Sequence, residues 1–583
     1  MNLTCCLVLL ATLGAESSPK DDLARRGQAV LHKYCLECHG NDFQFPGLDM
    51  RDRVTLLKPS DPKQTPYLVP GKSAQSRIWQ RVDVGEMPPD DQPQPSSAEK
   101  ALLQQWIDAG AEFPAADRPE RKFVGEATLL GIIAADLDKL PASRRFTTRY
   151  FSLVHLWNSA LPDEHLALVR AAVSKLINSQ SSQPRIAPPT AIDPDGLVLR
   201  IDLRDYGWEN SKQWFAIMKA YPFGLQVRGD AAQKVYDLTG CEIPYLRADW
   251  FVYHASRPPL YHQLVTLPDF IGIPDQVGVL ERLLGVNPQA DFDKDREWRA
   301  GFSGEKSGVS DHNRMVARHD ARYGYYWPSF DSAGDSGRQN HAKFPLGPKF
   351  SGREQPGAFD HDGGEMIFSL PNHLQAYMLS TAAGKRINDG PTAIVSDPNR
   401  FSGSNTVVNG ISCMGCHKQG MISFEDTIRR QYEDRTGDIA EKVLRLFPAK
   451  ADMDKLVDQD RQRFLTALDQ AIGPFMRTGA NDKRPVIEFP EPITAVAKVY
   501  DRPVSLADVA RELGLPKDAA DAKAQGIRAT AAELATVIKF SESLRRLELL
   551  PLTVGEPLTR PQWEQAFSSA SRELRLGIAV IVR

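Results

Sequence analysis

The strings Cys35-Leu36-Glu37-Cys38-His39 and Cys413-Met414-Gly415-Cys416-His417 share the spacing C-x-x-C-H. This spacing is typical of c-type haem attachment. Two thiols one helical turn apart can add across the two vinyl groups of a porphyrin, and the next residue, a histidine, then binds the iron. In a chain of 583 residues with 7 Cys and 12 His, two such strings are not expected by chance. The sequence therefore predicts two covalently bound haem c groups.

The residues predicted to bind the two porphyrins are Cys35, Cys38, Cys413 and Cys416, and those predicted to bind the two irons are His39 and His417. A zinc site or a redox dithiol is the alternative for each string, because both also use cysteine. Zinc needs four ligands, whereas each string offers three crowded ones with no second C-x-x-C pair nearby. The spacing therefore favours haem.

The remaining cysteines are few. Cys5 and Cys6 lie near the N-terminus and Cys241 stands by itself, so no disulfide framework is predicted. The apolar run from Leu7 to Leu13 is too short to span a bilayer and is typical of a signal-peptide core, although no Lys or Arg precedes it. We expect residues 1–18 to be a signal peptide and the chain to be periplasmic or otherwise exported.

Size and charge exclude several classes of function. At about 100–200 residues per domain, the chain is expected to form about three domains. The net charge of −3 provides no strong attraction to nucleic acid or to anionic lipid. The sequence contains no nucleic-acid motif and no apolar run of about 18 residues or more. Neither a nucleic-acid partner nor a membrane span is expected.

Helical spacing precedes the first string. Apolar residues recur on one face before Cys35, and Gly27 on that face would let a second helix cross closely. The partner helix is predicted at 97–109, after serines that can cap it and before Gly110. A further helix is expected at 73–82.

The loop Gly85-Glu86-Met87-Pro88-Pro89 lies between these helices. A methionine sulfur on a rigid loop can supply the sixth ligand of a haem iron and raise its reduction potential. The prolines restrict the loop. Met87 is therefore the predicted sixth ligand of the first haem, and the alternative is an ordinary core methionine.

The segment from residue 21 to residue 113 resembles the planctomycete-type cytochrome c domain. The pieces that carry the resemblance are Cys35-Leu36-Glu37-Cys38-His39-Gly40, Val69-Pro70-Gly71-Lys72-Ser73, Arg81-Val82, Glu86-Met87-Pro88-Pro89 and Trp106-Ile107-Asp108-Ala109-Gly110-Ala111. The resemblance implies an all-α fold and a haem bound to Cys35 and Cys38. It further implies His39 and Met87 as the axial ligands.

The chain is predicted to be multidomain. The predicted boundaries are 1–18 for the signal peptide, 19–116 for the cytochrome c domain, 117–400 for a mixed α/β domain and 401–583 for the second haem segment with a mostly helical C-terminal region. In the mixed domain, helical spacing marks 149–159 and 163–178. Strands are expected at 199–203, 366–370, 376–379 and 393–395. The C-terminal helices are expected at 425–432, 453–472, 505–513 and 561–567.

Two segments of the middle region are rich in aromatic and basic residues. They contain Trp250, His254, Arg257, Tyr261 and His262 in one, and Asn313, Arg314, Arg318, His319, Tyr325, Tyr326 and Trp327 in the other. A third polar segment, 361–365, precedes the predicted hairpin. These residues are either core and turn residues or groups that act beside the second haem. The stretch 146–425 is similar to proteins in genomes rich in this cytochrome domain, and that similarity implies no activity.

The sixth ligand of the second haem is left open by the sequence, because no Met-Pro-Pro follows His417. The candidates are Met421, Met453, Met476, His319 and His361. His319 ranks first among them, since Met421 is only four residues from His417 and would reach the opposite haem face awkwardly. An open coordination position is the further possibility.

Three functions are compatible with these features. The first is electron transfer by an exported diheme cytochrome with a redox partner protein or a small-molecule electron donor or acceptor. The second is a haem-dependent oxidoreductase, peroxidase-like, in which the second iron is open to substrate. Diheme peroxidases are only a loose analogy, because their strings lie much closer together. The third is a ligand-binding protein in which the haem is a redox tether.

Overall fold

The computed structural model describes residues 19–35, 39, 50, 53–57, 65–89, 92–113, 121–159, 161–302, 313–348, 355–479, 483–580 and 582. It divides into two compact units, residues 1–120 and 121–583. The predicted signal peptide, Cys38 and the linker at 114–119 lie outside the described residues. The second unit spans both the predicted mixed domain and the predicted C-terminal region, and the bounds of the four predicted segments stay predictions. The expectation of a multidomain chain with helices and sheets is confirmed.

The described part of the first unit is helical. Its elements are the α-helices Pro19–Tyr34, Arg53–Leu56, Arg77–Asp83 and Ser97–Asp108 and the 3-10 helix Ser73–Gln75. The single helix predicted at 73–82 is wrong, because Ser76 has an extended backbone and divides the segment. Ser76 is held there because its hydroxyl accepts a hydrogen bond from the backbone N–H of Val69 at 2.8 Å.

The two longest helices of this unit cross at a glycine, as predicted. A Cβ atom on Gly27 would lie 2.3 Å from Cγ of Trp106, so no larger residue fits without movement. The second helix begins with a capping box in which Ser96 and Glu99 bond each other's backbone N–H groups. Glu99 also accepts hydrogen bonds from Lys33 and Tyr34, both at 2.8 Å. These contacts fix the helix that leads into the first string.

The described residues of the second unit form four sheets. Its strands are β1 (Thr148–Ser152), β2 (Thr190–Ala191), β3 (Val198–Asp202), β4 (Leu225–Gln226), β5 (Tyr245–Arg247), β6 (Thr266–Leu267), β7 (Phe270–Ile271), β8 (Glu297–Phe302), β9 (Arg314–Ala321), β10 (Gly324–Asp331), β11 (Gly363–Ser369), β12 (Gln375–Thr381), β13 (Arg386–Ile387) and β14 (Ile578–Ala579). The largest sheet has the order β13-β12-β11-β10-β9-β8, the next has the order β2-β3-β1-β5, and the pairs β14-β4 and β6-β7 complete the set.

The six-stranded sheet is an antiparallel meander, in which each strand pairs with its neighbour in the chain. The hairpin predicted around Pro371 is confirmed as β11 and β12. The third strand predicted at 393–395 is wrong. Those residues form a turn, in which the N–H of Ile394 donates to the carbonyl of Pro391 at 2.9 Å. The strand that pairs with β12 at this edge is β13 instead.

The four-stranded sheet includes residues that were predicted to be helical. The helix predicted at 149–159 covers only Val154–Asn158, because β1 takes the first half of the segment. β1 pairs antiparallel with β3 and parallel with β5, and both partners are distant in sequence. Local spacing carries no information about such pairing. The strand predicted at 199–203 is confirmed as β3, one residue earlier.

Helices pack on the sheets of this unit. Their bounds are Glu126–Lys139, Ala142–Arg145, Val154–Asn158, Asp163–Asn178, Lys212–Ala220, Asp230–Thr239, Ala248–Ala255, Leu260–Leu264, Val277–Leu284, Pro288–Asp293, Ile411–Cys416, Asp438–Leu446, Lys450–Met476, Pro492–Tyr500, Leu506–Glu512, Ala519–Ala524, Leu534–Phe540, Glu542–Arg546 and Arg560–Glu573. The helix predicted at 163–178 is confirmed. Within the described residues, no helix combines the length and the apolar character that crossing a bilayer requires.

The C-terminal helices agree with three of four expectations. The predicted helices near 453–472, 505–513 and 561–567 are present, the last two capped by Ser505 and Thr559. The helix predicted at 425–432 is wrong, since only the 3-10 turn Arg429–Gln431 forms. The segment is bound to the end of β8 instead, where the N–H of Gly301 donates to Asp426 at 2.8 Å.

A buried carboxylate joins the long helix Lys450–Met476 to the six-stranded sheet. Asp460 is fully buried and accepts hydrogen bonds from Nε of Arg318 and from the indole N–H of Trp327, both at 2.9 Å. Arg318 also contacts Asp320, whose side chain is 76% exposed. The same guanidinium therefore makes one buried and one exposed ion pair.

Replacing the buried partner of Arg318 is expected to destabilise the protein strongly. Asp460→Ala leaves a buried guanidinium without its main counter-charge, and about 3–5 kcal/mol of unfolding free energy should be lost. Asp320→Ala is the matched control, and it should cost about 1 kcal/mol or less because that pair is exposed to solvent. Urea denaturation of both variants measures the difference. Equal losses would contradict the assignment of Asp460 as the main partner.

Candidate functional site

In both C-x-x-C-H strings, the histidine N–H bonds to the carbonyl of the first cysteine. The N–H of His417 donates to the carbonyl of Cys413 at 2.8 Å, and the N–H of His39 donates to the carbonyl of Cys35 at 2.7 Å. A bond between residues four apart places the first cysteine and the histidine on one side of a helical turn. This arrangement lets one porphyrin meet both side chains.

The second string is held by close contacts along its length. Gly410 has a φ of 88°, and a Cβ there would lie 2.4 Å from the carbonyl oxygen of Ser256. A Cβ on Gly415 would lie 2.3 Å from the ring of Phe401. The hydroxyl of Ser412 donates to Asp397 at 3.0 Å. Glycine is therefore required at both positions by packing, and at Gly410 also by the backbone.

A buried histidine fixes the residue before Gly410. The side-chain amide of Asn409 donates to Nε2 of His262 at 2.6 Å. Burial lowers the pKa of His262 to about 3, so the ring is neutral at neutral pH and its nitrogen can accept this bond. His262 therefore positions the string and does not face the predicted iron.

His417 is oriented as a metal-binding histidine requires. Its Nδ1 lies 3.2 Å from the carbonyl oxygen of Gly420, to which it can donate a hydrogen bond. That bond selects the tautomer in which Nε2 carries the free lone pair. The ring stacks on Tyr377 with a centroid distance of 6.0 Å. Nε2 lies 3.8 Å from Oε2 of Glu365.

Cys413, Cys416 and His417 line one cavity of about 200 Å³. The six-stranded sheet contributes the apolar residues Phe302, Val316, Trp327, Ile367, Leu379 and Ile387. The loops on the other side contribute Ile394, Val395, Val407, Met421 and Phe424. An apolar slot beside two thiols and an imidazole fits the donor set and the flat apolar body of a haem.

Burial keeps both thiols of the second string uncharged. Burial, together with the nearby charge of Glu365, raises the pKa of Cys413 well above the usual range and the pKa of Cys416 to about 12.

In the first unit, the described residues of the predicted site are Cys35, His39 and Met87. Burial lowers the pKa of His39, which favours the neutral imidazole that binds iron. The N–H of Met87 donates to the carbonyl of Arg81 at 3.1 Å. The side-chain amide of Gln94 donates to the carbonyls of Pro88 at 2.9 Å and of Pro89 at 3.0 Å. These bonds hold the methionine loop against the end of helix Arg77–Asp83.

The structure does not bring His319 to His417. Side chains alternate along β9, and Arg314 and Val316 face the cavity, so His319 faces the opposite side of the sheet. There its ring nitrogens contact Asp291 at 3.1 Å and Glu297 at 3.5 Å. We therefore do not assign His319 to the second haem.

Of the other candidate sixth ligands, one lines the cavity and three do not. Met421 lines the cavity. His361 does not, and its ring packs on Phe330 with a centroid distance of 5.3 Å. Met453 and Met476 are buried residues of the long helix Lys450–Met476 and do not line the cavity either. Of the candidates, only Met421 shares the space of His417.

The aromatic and basic segments have separate roles. Arg314 and Trp327 line the cavity, and Tyr261 packs against Gly410. Trp250, His254 and Arg257 lie elsewhere: the ring of Trp250 packs on His254, His254 contacts Glu564 at 2.9 Å, and Arg257 lies over Tyr253. This second group is part of the helical core.

Two residues that contact the second string are not predicted as site residues from the sequence. Tyr377 stacks on His417, and Asp397 accepts a hydrogen bond from Ser412. Tyr377 could have been found, because the alternation of the predicted hairpin puts it on the face that carries Glu365 and Ile367. Asp397 lies in a loop and carried no such signal.

Comparison with known proteins finds a family match for the segment that contains the first string. Residues 35–91 match the family model described as planctomycete cytochrome C. This segment is a planctomycete cytochrome c domain. The match implies covalently bound haem c and haem-based electron transfer, with a redox partner. No curated protein and no solved structure matches the chain.

Loss of the predicted sixth ligand should change the first haem of this cytochrome domain. Met87→Ala is expected to leave a five-coordinate iron that is high-spin when oxidised and binds carbon monoxide when reduced. Met50→Leu is the control, because Met50 is a buried core residue of the same unit. Absorption and EPR spectra of the two variants measure coordination. Unchanged low-spin spectra in Met87→Ala would contradict the assignment.

Proposed function

We propose that this chain is an exported c-type cytochrome with two covalently bound haems that carries out electron transfer. The observation that carries the proposal is the second string: Cys413, Cys416 and His417 line one cavity, and the N–H of His417 bonds to Cys413 as the N–H of His39 bonds to Cys35. The first haem would be bound by Cys35 and Cys38.

The local contacts of the second string support a haem there. The Nδ1 contact of His417 with Gly420 leaves Nε2 for iron, and the packing at Gly410 and Gly415 holds the helical turn. His39 and Met87 would ligate the first iron and His417 the second. Two haems in one chain can accept electrons from one partner and deliver them to another.

Haem content tests the proposal. The double substitution Cys413→Ala with Cys416→Ala should reduce the number of attached haems from two to one, because both thioether bonds of the second haem are lost. Cys241→Ala is the control and should retain two, since Cys241 lies outside both strings. Intact-protein mass and haem stain on denaturing gels measure attachment. Two haems in the double variant would overturn the second assignment.

A haem-dependent oxidoreductase is the second candidate function. It is favoured by the described lining of the cavity, in which no histidine besides His417 faces the second iron site and Met421 is the one methionine. An iron with one protein ligand can bind a small substrate such as a peroxide.

The spin state of the second haem separates the two candidates. Electron transfer by two six-coordinate irons predicts two low-spin signals in the low-temperature EPR spectrum of the oxidised protein. An open second iron predicts one low-spin and one high-spin signal, the latter sensitive to added ligands. If Met421 is the sixth ligand of the second iron, Met421→Leu should convert the second signal from low spin to high spin. Met453→Leu is the control and should leave both signals unchanged.

A further inference from the structure

A cavity of about 490 Å³ lies beside strand β4 in the second unit, and the proposed electron transfer makes no use of it. This space, the β4 cavity, shares none of its described lining residues with the cavity of about 200 Å³ beside the second string. Its walls come from the helices Glu126–Lys139 and Asp230–Thr239, the loop 241–244 and the strands β4, β5 and β14. A volume of this size is typical of sites for small organic molecules.

The β4 cavity has an apolar interior and a polar mouth. Leu130, Val235 and Ile243 line it and are buried. Gln233 and Glu242 line it as well and are exposed to solvent. A ligand with an apolar body and one polar end therefore matches this arrangement, because its body would leave water while its polar end stays at the mouth.

Glu242 is the one charged side chain among the described residues that line the β4 cavity. Its carboxylate makes no hydrogen bond or ion pair within the part of the chain that the structure describes. No lysine or arginine lies in the described lining to attract an anion. An unpaired carboxylate at the mouth attracts a positive ligand and disfavours a negative one.

Three cations near these walls have other contacts. Arg247 on β5 pairs with Glu512 at 3.0 Å, and Lys234 pairs with Asp138 at 2.5 Å. Arg149 is buried, with 4% of its surface exposed. None of the three lines the β4 cavity. The negative charge of Glu242 is therefore left for a ligand.

Four aromatic residues line the same cavity. They are Tyr221, Phe223, Tyr236 and Tyr245. Phe223 already has a cation over its ring, since the guanidinium of Arg247 lies 4.0 Å from the ring centroid. The rings of Tyr236 and Tyr245 make no ring–ring or cation–ring contact with other described residues, and Tyr236 is 48% exposed. The electron-rich face of such a ring attracts an organic cation.

We infer that the β4 cavity binds a small organic cation, a methylated ammonium ion on an apolar body, with the ammonium group beside Tyr236, Tyr245 and Glu242. A fully methylated ammonium group has no N–H to donate, so it is recognised by aromatic faces and a counter-charge instead of by a set of hydrogen-bond acceptors. The apolar body would lie against Leu130, Val235 and the other buried walls. The inference does not depend on the proposed function.

The experiment is a calorimetric titration of the full-length protein, carrying its haem, with para-hydroxyphenyltrimethylammonium. The comparison ligand is para-tert-butylphenol, which has the same shape and no charge at neutral pH. The cation should bind about tenfold more tightly than the phenol, because only the cation gains from the tyrosine faces and the carboxylate. Equal affinities would overturn the inference of a cation site, and so would a cation that does not bind.

Two substitutions at exposed residues locate the site. Glu242→Gln and Tyr236→Leu should each weaken binding of the cation by about threefold or more and leave binding of the phenol nearly unchanged. Glu209→Gln is the matched control, because Glu209 is an exposed glutamate of the second unit outside the lining. Unchanged affinity for the cation in both substitutions would overturn the assignment of these residues.

Filling the cavity is the independent check. Ala232 lines the β4 cavity, so Ala232→Trp should abolish binding of both ligands. Retained binding of the cation in this variant would place it elsewhere and overturn the inference. The double substitution Cys413→Ala with Cys416→Ala should bind the cation as the wild type does, so the number of attached haems and the occupancy of the β4 cavity are tested separately.

Discussion

Side chains alternate between the two faces of a strand, and this constraint decides which residues of the six-stranded sheet can meet the second C-x-x-C-H string. The register is continuous across the central strands, so Val316, Trp327, Ile367 and Leu379 all face the same side. The string lies over that face, and His417 stacks on Tyr377 from it. A shift of one residue in any of these strands would replace the apolar wall by the opposite set of side chains.

The long helix Lys450–Met476 packs against the same face of the sheet. Asp460 receives hydrogen bonds from two residues of the cavity face, Arg318 on β9 and Trp327 on β10. The helix is attached to the sheet by groups that cannot be exposed without leaving a charge or an indole N–H unpaired. Buried hydrogen bonds therefore join the sheet that forms the cavity wall to the helix Lys450–Met476.

Local features of the sequence predicted local features of the structure. The crossing at Gly27, the hairpin of β11 and β12, the helix Asp163–Asn178 and the capped C-terminal helices follow from spacing and caps within a few residues. The errors have non-local causes. Residues 149–152 become a strand because two distant strands pair with them, and 425–428 form no helix because Asp426 binds Gly301.

The candidate site shows the same limit. Cys413, Cys416 and His417 were recognisable from their spacing, whereas the group facing Nε2 was not. His319 was the leading candidate, but the register of β9 places it on the far face, and Glu365 from β11 lies there instead. A single segment of sequence does not show which face of a strand is turned towards a string about 50 to 100 residues away.

The two strings are held in place by different parts of the chain. The first follows helix Pro19–Tyr34, whose partner helix and ligand loop lie within the same small unit. The second lies in a six-residue helix, Ile411–Cys416, which is too short to be stable by itself. Its shape comes from Gly410 against Tyr261 and Gly415 against Phe401, and these contacts exist only once the unit of residues 121–583 has folded. The proposed second haem site is thus a property of that whole unit, and its polarity is set by strands that contribute none of the predicted haem-binding residues.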